Sequence, residues 1–176
     1  MTVKPVPELR DALEKSIEKN QIKNVKVLPF AAGSQAGLTC FNLDALNSGN
    51  NWIATGAKLA TALKIPTQRL DALSLDRPVD FVKIDVQGWE IEVLKGMSGL
   101  IRAGQRPIIM CEIHKQSLEV AGASVRELGQ LLLDYHYELC LPRRRGERIE
   151  MEILSLPALE ERAARTLYFD IIARPS

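Results

Sequence analysis

Three residues in the middle of the chain are of types that move protons: Asp85, Glu112 and His114. Asp85 closes the run Phe-Val-Lys-Ile-Asp at 81–85, and Gly88 follows just before an amphipathic stretch. A carboxylate so placed can orient a cation, accept a proton, or bind a hydroxyl or an amine. It can equally cap the next helix by accepting from free backbone N–H groups. The glycine lets the backbone approach a ligand or a neighbouring segment closely. Glu112 and His114 lie two apart in the apolar run "RPIIMCEIH", so on a strand they share a face. Imidazole titrates near neutrality, and His114 can therefore take the proton of an attacking hydroxyl. Glu112 could orient that histidine, or ligate a divalent metal together with Asp85. The bland alternative is a hydrogen-bonded histidine at a sheet edge. Glu-x-His alone is a weak signal; beside Asp85 on an adjacent strand it becomes a moderate one. Lys83 shares a face with Asp85, which predicts an internal ion pair. His136, in "DYHYE", is expected to cap a helix end. Cys40, Cys111 and Cys140 have no activating base beside them and read as core residues.

These side chains need strands that end together. "PVDFVKIDV" reads as a strand with a near-continuous apolar run at Phe81, Val82 and Ile84, as in a parallel sheet covered on both faces. "RPIIMCEIH" reads as the most apolar strand, over 107–113. Helices are predicted over 7–20, through Leu9, Leu13 and Ile17, over 88–103 with a break near Gly96 and Gly99, and over 125–135. Shorter strands are predicted at 25–28 and 38–43, in "KIPTQRLDAL" with a turn near Asp71, in "YELCL" and in "TLYFDIIA". The segment "NSGNN", 47–51, is a loop by composition. Strands alternate with helices, which predicts an α/β fold with a mainly parallel sheet and helices on both faces. Ligands in such sheets bind beyond the carboxyl ends of the strands. Asp85 and the Cys111–His114 run both end there.

The 176 residues suit one domain, or a large part of one. With 46% hydrophobic and 26% charged residues, composition is that of a globular protein. A net charge of +1 implies no polyanionic partner, and the basic run "PRRRGER", 142–148, reads as a solvated loop rather than a nucleic-acid face. Three scattered cysteines without a CxxC pair fit a reducing compartment and argue against a disulfide framework or a zinc knuckle. No apolar run approaches the roughly 20 residues a membrane span needs. The first ten residues lack the apolar core of a signal peptide, so a cytoplasmic protein is expected.

The segment Pro66 to His114, "PTQRLDALSLDRPVDFVKIDVQGWEIEVLKGMSGLIRAGQRPIIMCEIH", strongly resembles the FkbM family of S-adenosylmethionine-dependent methyltransferases. That family carries a strand of the form D-x-I-K-I-D-V-E-G, a helix with E-x-x-V-L-K-G, and a strand R-P-x-x-x-x-E-x-H. Here these are Asp80–Gly88, Glu90–Gly96 and Arg106–His114. The stretch "KPVPELRDALEKSIEKNQIKNVKVLPFAAG" and the closing "TLYFDIIARPS" are similar more weakly, so nearly the whole chain, 1–176, is covered as a single domain. The resemblance implies a class I, Rossmann-like methyltransferase fold and methyl transfer from S-adenosylmethionine to a hydroxyl, on a sugar, glycan or other small molecule. Alignment of nucleophile and methyl would supply most of the rate, with a base to take the proton. It implies His114 as that base, Asp85 and Glu112 as its positioning carboxylates, and adenine contacts near Ala31 and Ala32. Trp52, Trp89 and the 44–58 segment are candidates to line the acceptor site, or are packing residues.

Two departures from the family pattern stand out. The strand and glycine-rich turn V-D-V-G-A-N-x-G, which holds the cofactor's methionine end, is not found, so the fold is expected to be N-terminally truncated and impaired as this chain alone. An open sheet edge would then invite a second copy or a complementary chain. Lys4 stands where the family usually has a glutamate accepting from the cofactor's ribose, and an ammonium only donates. Gln87 stands where glutamate is commoner. A non-catalytic α/β interaction module derived from a methyltransferase is the alternative function. A metal-dependent hydrolase built on Asp85, Glu112 and His114 is a third.

Overall fold

The computed structural model describes residues 1–42, 52–53 and 62–176. The segments at 44–51 and 54–58, and the side chain of Trp52, lie outside the described residues. The chain opens with strand β1 (Thr2–Val3) and helix α1 (Pro7–Lys19), where Pro7 presets the first turn and Lys19 complements the carbonyl end. Strands β2 (Val27–Leu28), β3 (Ala31–Ala32), β4 (Gly37–Asn42), β5 (Trp52–Ile53) and β6 (Leu63–Gln68) follow, then a short 3-10 turn at Leu70–Ala72. The second half holds β7 (Phe81–Ile84), α2 (Glu90–Gly96), α3 (Ser98–Arg102), β8 (Ile108–Ile113), α4 (Lys115–Val120), α5 (Val125–Asp134), β9 (Tyr137–Arg145), β10 (Arg148–Ile153), α6 (Leu156–Arg165) and β11 (Phe169–Pro175).

The expected mainly parallel sheet is not what forms. Among the described residues there are three sheets: β1-β2, β3-β6-β4-β5, and a five-stranded sheet in the order β10-β9-β11-β8-β7. In the last, only β7 and β8 run parallel; β8-β11, β11-β9 and β9-β10 are antiparallel. The reason is connectivity. The β9–β10 connection is a two-residue hairpin, and β11 returns between β8 and β9 in the reverse direction, which an antiparallel ladder allows without a long crossover.

The core lies on one face of this sheet. Ile109, Cys111 and Ile113 of β8, Leu139 and Leu141 of β9 and Ile171 and Ala173 of β11 are buried there with Leu94, Leu118, Leu128, Leu132 and Leu159 from the helices. The other face is open: Phe81 is 53% and Ile108 43% exposed. Hence the apolar run at 81–84 does not mark a strand covered on both faces. A smaller cluster of Val6, Ala31 and Ile65, with Leu9 against it, packs the N-terminal strands and α1.

The basic run at 142–148 is not a loop. It is the end of β9 and the turn into β10, with Gly146 at φ +62 in the connection. Arg143 pairs with Glu152 at 2.7 Å and Arg145 with Glu150 at 2.9 Å, so this basic run is partly neutralised by the facing strand. Helix α6 was not anticipated, although Ser155 caps it by accepting from the N–H of Ala158.

Candidate functional site

Parallel pairing sets Phe81 against Ile108 and Ile84 against Cys111. Asp85, one residue past β7, therefore comes level with Glu112. On the other side of Glu112, the antiparallel ladder places Asp170 of β11 directly opposite. Three carboxylates thus stand in a row across three strands, on the open face of the sheet. Lys83 answers part of this charge: its Nζ lies 3.0 Å from Asp85 Oδ2, the ion pair predicted from the sequence. The Asp85 hydrogen bond raises the Lys83 ammonium above its ordinary value. Desolvation raises the Glu112 carboxyl, and the charges of Asp85 and Asp170 push it further the same way.

The connection from β7 to α2 holds the row together. Gln87 sits at φ +50, a conformation that non-glycine residues adopt sparingly. From there its Nε2 donates to Glu112 Oε1 at 3.1 Å and, over a long 3.5 Å, to Asp85 Oδ1. Its Oε1 accepts from Ser117 Oγ at 3.5 Å, and Ser117 Oγ in turn bonds His114 Nδ1. One amide thereby links Asp85, Glu112 and His114, which come from two strand ends and the start of α4. Asp85 does not cap α2, whose first turn has no side-chain cap. Instead Glu90 Oε1 accepts from the Gly88 N–H at 3.0 Å.

Gly88 answers the close-approach question. At φ +97 it lies so near α4 that a Cβ would sit 2.3 Å from the Ser117 carbonyl oxygen. The glycine is required by the chain itself, because it brings Ser117 under Gln87. Gly96, expected to break the helix, does end α2, and a Cβ there would sit 2.1 Å from the Gly33 carbonyl. Glu90 is 2% exposed, and its Oε2 has no partner. Burial pushes its carboxyl above the ordinary range.

A cavity of about 1290 Å³ opens beside this connection. Ala31, Ala32, Asp85, Gln87 and Trp89 line it, as does Lys4. Glu112 and His114 are not in its wall and reach it only through Gln87. The two alanines and Asp85, 53 or more residues apart, therefore face one space. The indole Nε1 of Trp89 is buried without a partner and lies against Gly33, which is not part of the cavity wall. Among the described residues, no three or more of His, Cys, Asp and Glu are grouped so as to hold a metal ion.

Of the other sequence-predicted residues, His136 has φ +60 and follows the end of α5; its carbonyl accepts from Arg106 and from Ser176 Oγ. Cys111 and Cys140 are buried, and burial pushes both thiols up, well up for Cys111. Gln87, Ser117 and Asp170 were not singled out as site residues. The β11 register that places Asp170 opposite Glu112 carries no local signal.

Among the described residues no helix is long and apolar enough to cross a membrane. The family model for the methyltransferase FkbM domain matches residues 2–139. No curated protein and no solved structure matches the chain.

Proposed function

Because the chain belongs to the FkbM methyltransferase family, we propose that it transfers a methyl group from S-adenosylmethionine to a hydroxyl of a sugar, glycan or other small-molecule acceptor. The observation that carries this reading is the Gln87 amide, which gathers Asp85, Glu112 and His114 beside a large cavity. Small-molecule sites run to about 1,000 Å³, so the cavity has room for the cofactor, and the acceptor would sit at its Asp85–Gln87 rim, on the side toward Glu112 and His114. The cofactor fits its wall on a further count: the Asp85 carboxylate suits a cationic ligand. Lys4 departs from this fit, since an ammonium cannot accept from ribose hydroxyls.

Ala31 and Ala32 would pack the adenine, and Trp89 would border the acceptor. The bound cofactor supplies an activated methyl group. The chain's own work is positional and protolytic: His114 takes the acceptor's proton, while Asp85 and Glu112 hold the hydroxyl and the imidazole in line. The class I methyltransferase-like arrangement, residues 1–176 as one domain, and a cytoplasmic setting belong to the same proposal. The test is transfer of labelled methyl from S-adenosylmethionine to a panel of sugar hydroxyls. Transfer that falls about 10²–10⁴-fold in His114→Ala supports the assignment. Transfer indifferent to His114, Asp85 and Glu112 contradicts it.

A second reading rests on a different observation. Strand β7 pairs only with β8 among the described residues, and Phe81 and Ile108 are exposed beside it. An interaction module would use that edge for a second copy or a complementary chain. A stable oligomer that binds no cofactor would favour this reading over the first.

A further inference from the structure

Glu90 is a buried carboxyl that the reaction above does not use. It is 2% exposed, and it meets the β7–α2 connection from inside the protein. Its Oε1 accepts from the Gly88 N–H at 3.0 Å, in a bond that is itself buried. The N–H groups of Val86 and of Glu90 itself act on the same carboxyl and favour its charged form. Gln87 at φ +50 and Gly88 at φ +97 are consecutive left-handed residues. Backbone N–H groups gathered by such a turn make a concave site for an anion, and here the chain's own carboxyl fills it. The Gly88 N–H belongs to the peptide group that follows the Gln87 Cα. Holding that N–H fixes the plane of a rigid unit, and with it the backbone on one side of Gln87. Left-handed backbone is disfavoured for a glutamine. A relaxed Gln87 would, however, turn the Gly88 N–H away and leave Glu90 Oε1 buried without its donor, which is the costlier state. Held as it is, Gln87 donates to Glu112 Oε1 at 3.1 Å.

We propose that Glu90 is a positioning residue: by holding the Gly88 N–H from the interior, it locks Gln87 in its left-handed conformation and so keeps the Gln87 amide on Glu112. Glu90 is not in the cavity wall and makes no bond to Asp85, Glu112 or His114; it acts through the connection alone. The consequence for catalysis rests on the methyltransferase reading above, while the lock itself does not. A carboxyl that served stability only would, when altered, lower the melting temperature and leave the Gln87 side chain where it is.

The lock is read by ¹H–¹⁵N correlation on the full ¹⁵N-labelled chain. The side-chain NH₂ pair of Gln87 is assigned by its loss in Gln87→Glu. In the unmodified chain the Gly88 N–H is expected to exchange slowly with solvent, and the Gln87 pair to lie away from the position of an exposed glutamine. Glu90→Leu removes the acceptor at similar volume, and Glu90→Asp keeps the carboxyl but shortens its reach by one CH₂. Each should speed exchange of the Gly88 N–H by about tenfold, the worth of one hydrogen bond to a buried carboxyl, and move the Gln87 pair to the exposed position. Glu90→Gln keeps an oxygen for the Gly88 N–H and should leave both signals in place. Glu90→Asp reports even where Glu90→Leu does not fold, and the exchange rate in the unmodified chain needs no variant. Under the methyltransferase reading, Glu90→Asp should also lower kcat by up to about 10²-fold with KM little changed, the cost of misplacing a reacting group by about 1 Å. A fast-exchanging Gly88 N–H in the unmodified chain, or a Gln87 pair unmoved by Glu90→Asp while the melting temperature falls, overturns the proposal. Absence of methyl transfer with the Gln87 shifts intact would overturn the functional reading alone.

Discussion

Gln87 Nε2 lies 3.1 Å from Glu112 Oε1, although the two residues come from different segments and Glu112 faces Asp170 across the adjoining ladder. The amide is the nearest neutral group in an acidic row, and it ties the β7–α2 connection to the end of β8. Replacing Glu112 by glutamine removes a negative charge and one acceptor oxygen. The prediction is that Glu112→Gln folds normally and loses methyl transfer by about 10²-fold, chiefly in kcat, measured by labelled transfer beside a thermal melt. Equal loss of Tm and activity would assign Glu112 a structural role instead.

Gly88 combines positive φ with contact against the Ser117 carbonyl. Gly88→Ala must therefore strain the backbone and push α4 away at once. A loss of roughly 2–4 kcal/mol is expected in urea denaturation, the sum of a φ penalty and displaced packing. A change under about 0.5 kcal/mol would show that the approach of α4 is not constrained here.

Asp71 anchors the 3-10 turn to the α2–α3 junction. Its carboxylate accepts from Arg69 Nε at 2.8 Å and from the Gly99 N–H at 2.8 Å. The Arg69 hydrogen bond leads in holding its carboxyl below the ordinary value, with help from Gly99. A depressed folded-state value means that this stability is fully present above the unfolded carboxyl value near about 3.9 and is lost as pH falls through the folded one. Asp71→Ala should cost about 2–3 kcal/mol at pH 7. Chemical denaturation from pH 7 down to pH 2 should show the gap to the unmodified chain closing at the acid end.

Glu90 has the opposite sign. Burial raises its folded carboxyl above the unfolded value, so the folded state binds the extra proton between the two values. Stability should then fall as pH rises from about 4.3, the ordinary glutamate value, through the folded value. Glu90→Gln keeps an oxygen for the Gly88 N–H and cannot ionise. Its stability should vary less than that of the unmodified chain over the same rise in pH. Parallel profiles would show that Glu90 does not titrate differently on folding.

Much of the site could be read from the chain because strand ends have strong signals. The apolar runs of β7 and β8 mark themselves, and the carboxylates and histidine that close them are of types that apolar runs rarely carry. The Lys83–Asp85 ion pair followed from alternation alone. What could not be read was pairing and close approach. Nothing local in "TLYFDIIA" says that β11 runs antiparallel beside β8, so Asp170 was missed. Ser117 enters because Gly88 admits its carbonyl, a contact between residues 29 apart. The arginines of 142–148 hid a hairpin, because the glutamates that partly neutralise them sit on the next strand. The open sheet face was misread for a related reason: Phe81 and Ile108 are apolar, and residue type does not say whether a partner covers them.

If the chain acts as a methyltransferase, the cavity beside Asp85 and Gln87 receives S-adenosylmethionine. Calorimetric titration of the folded chain with that cofactor, with molecular mass followed in the same buffer, tests it most directly. Saturable binding, weakened at least tenfold by Asp85→Asn, which removes the Asp85 carboxylate from the cavity wall, is the predicted result. No heat of binding at millimolar cofactor from a folded sample would contradict it, and would leave Asp85, Glu112 and His114 as a constellation without a methyl donor.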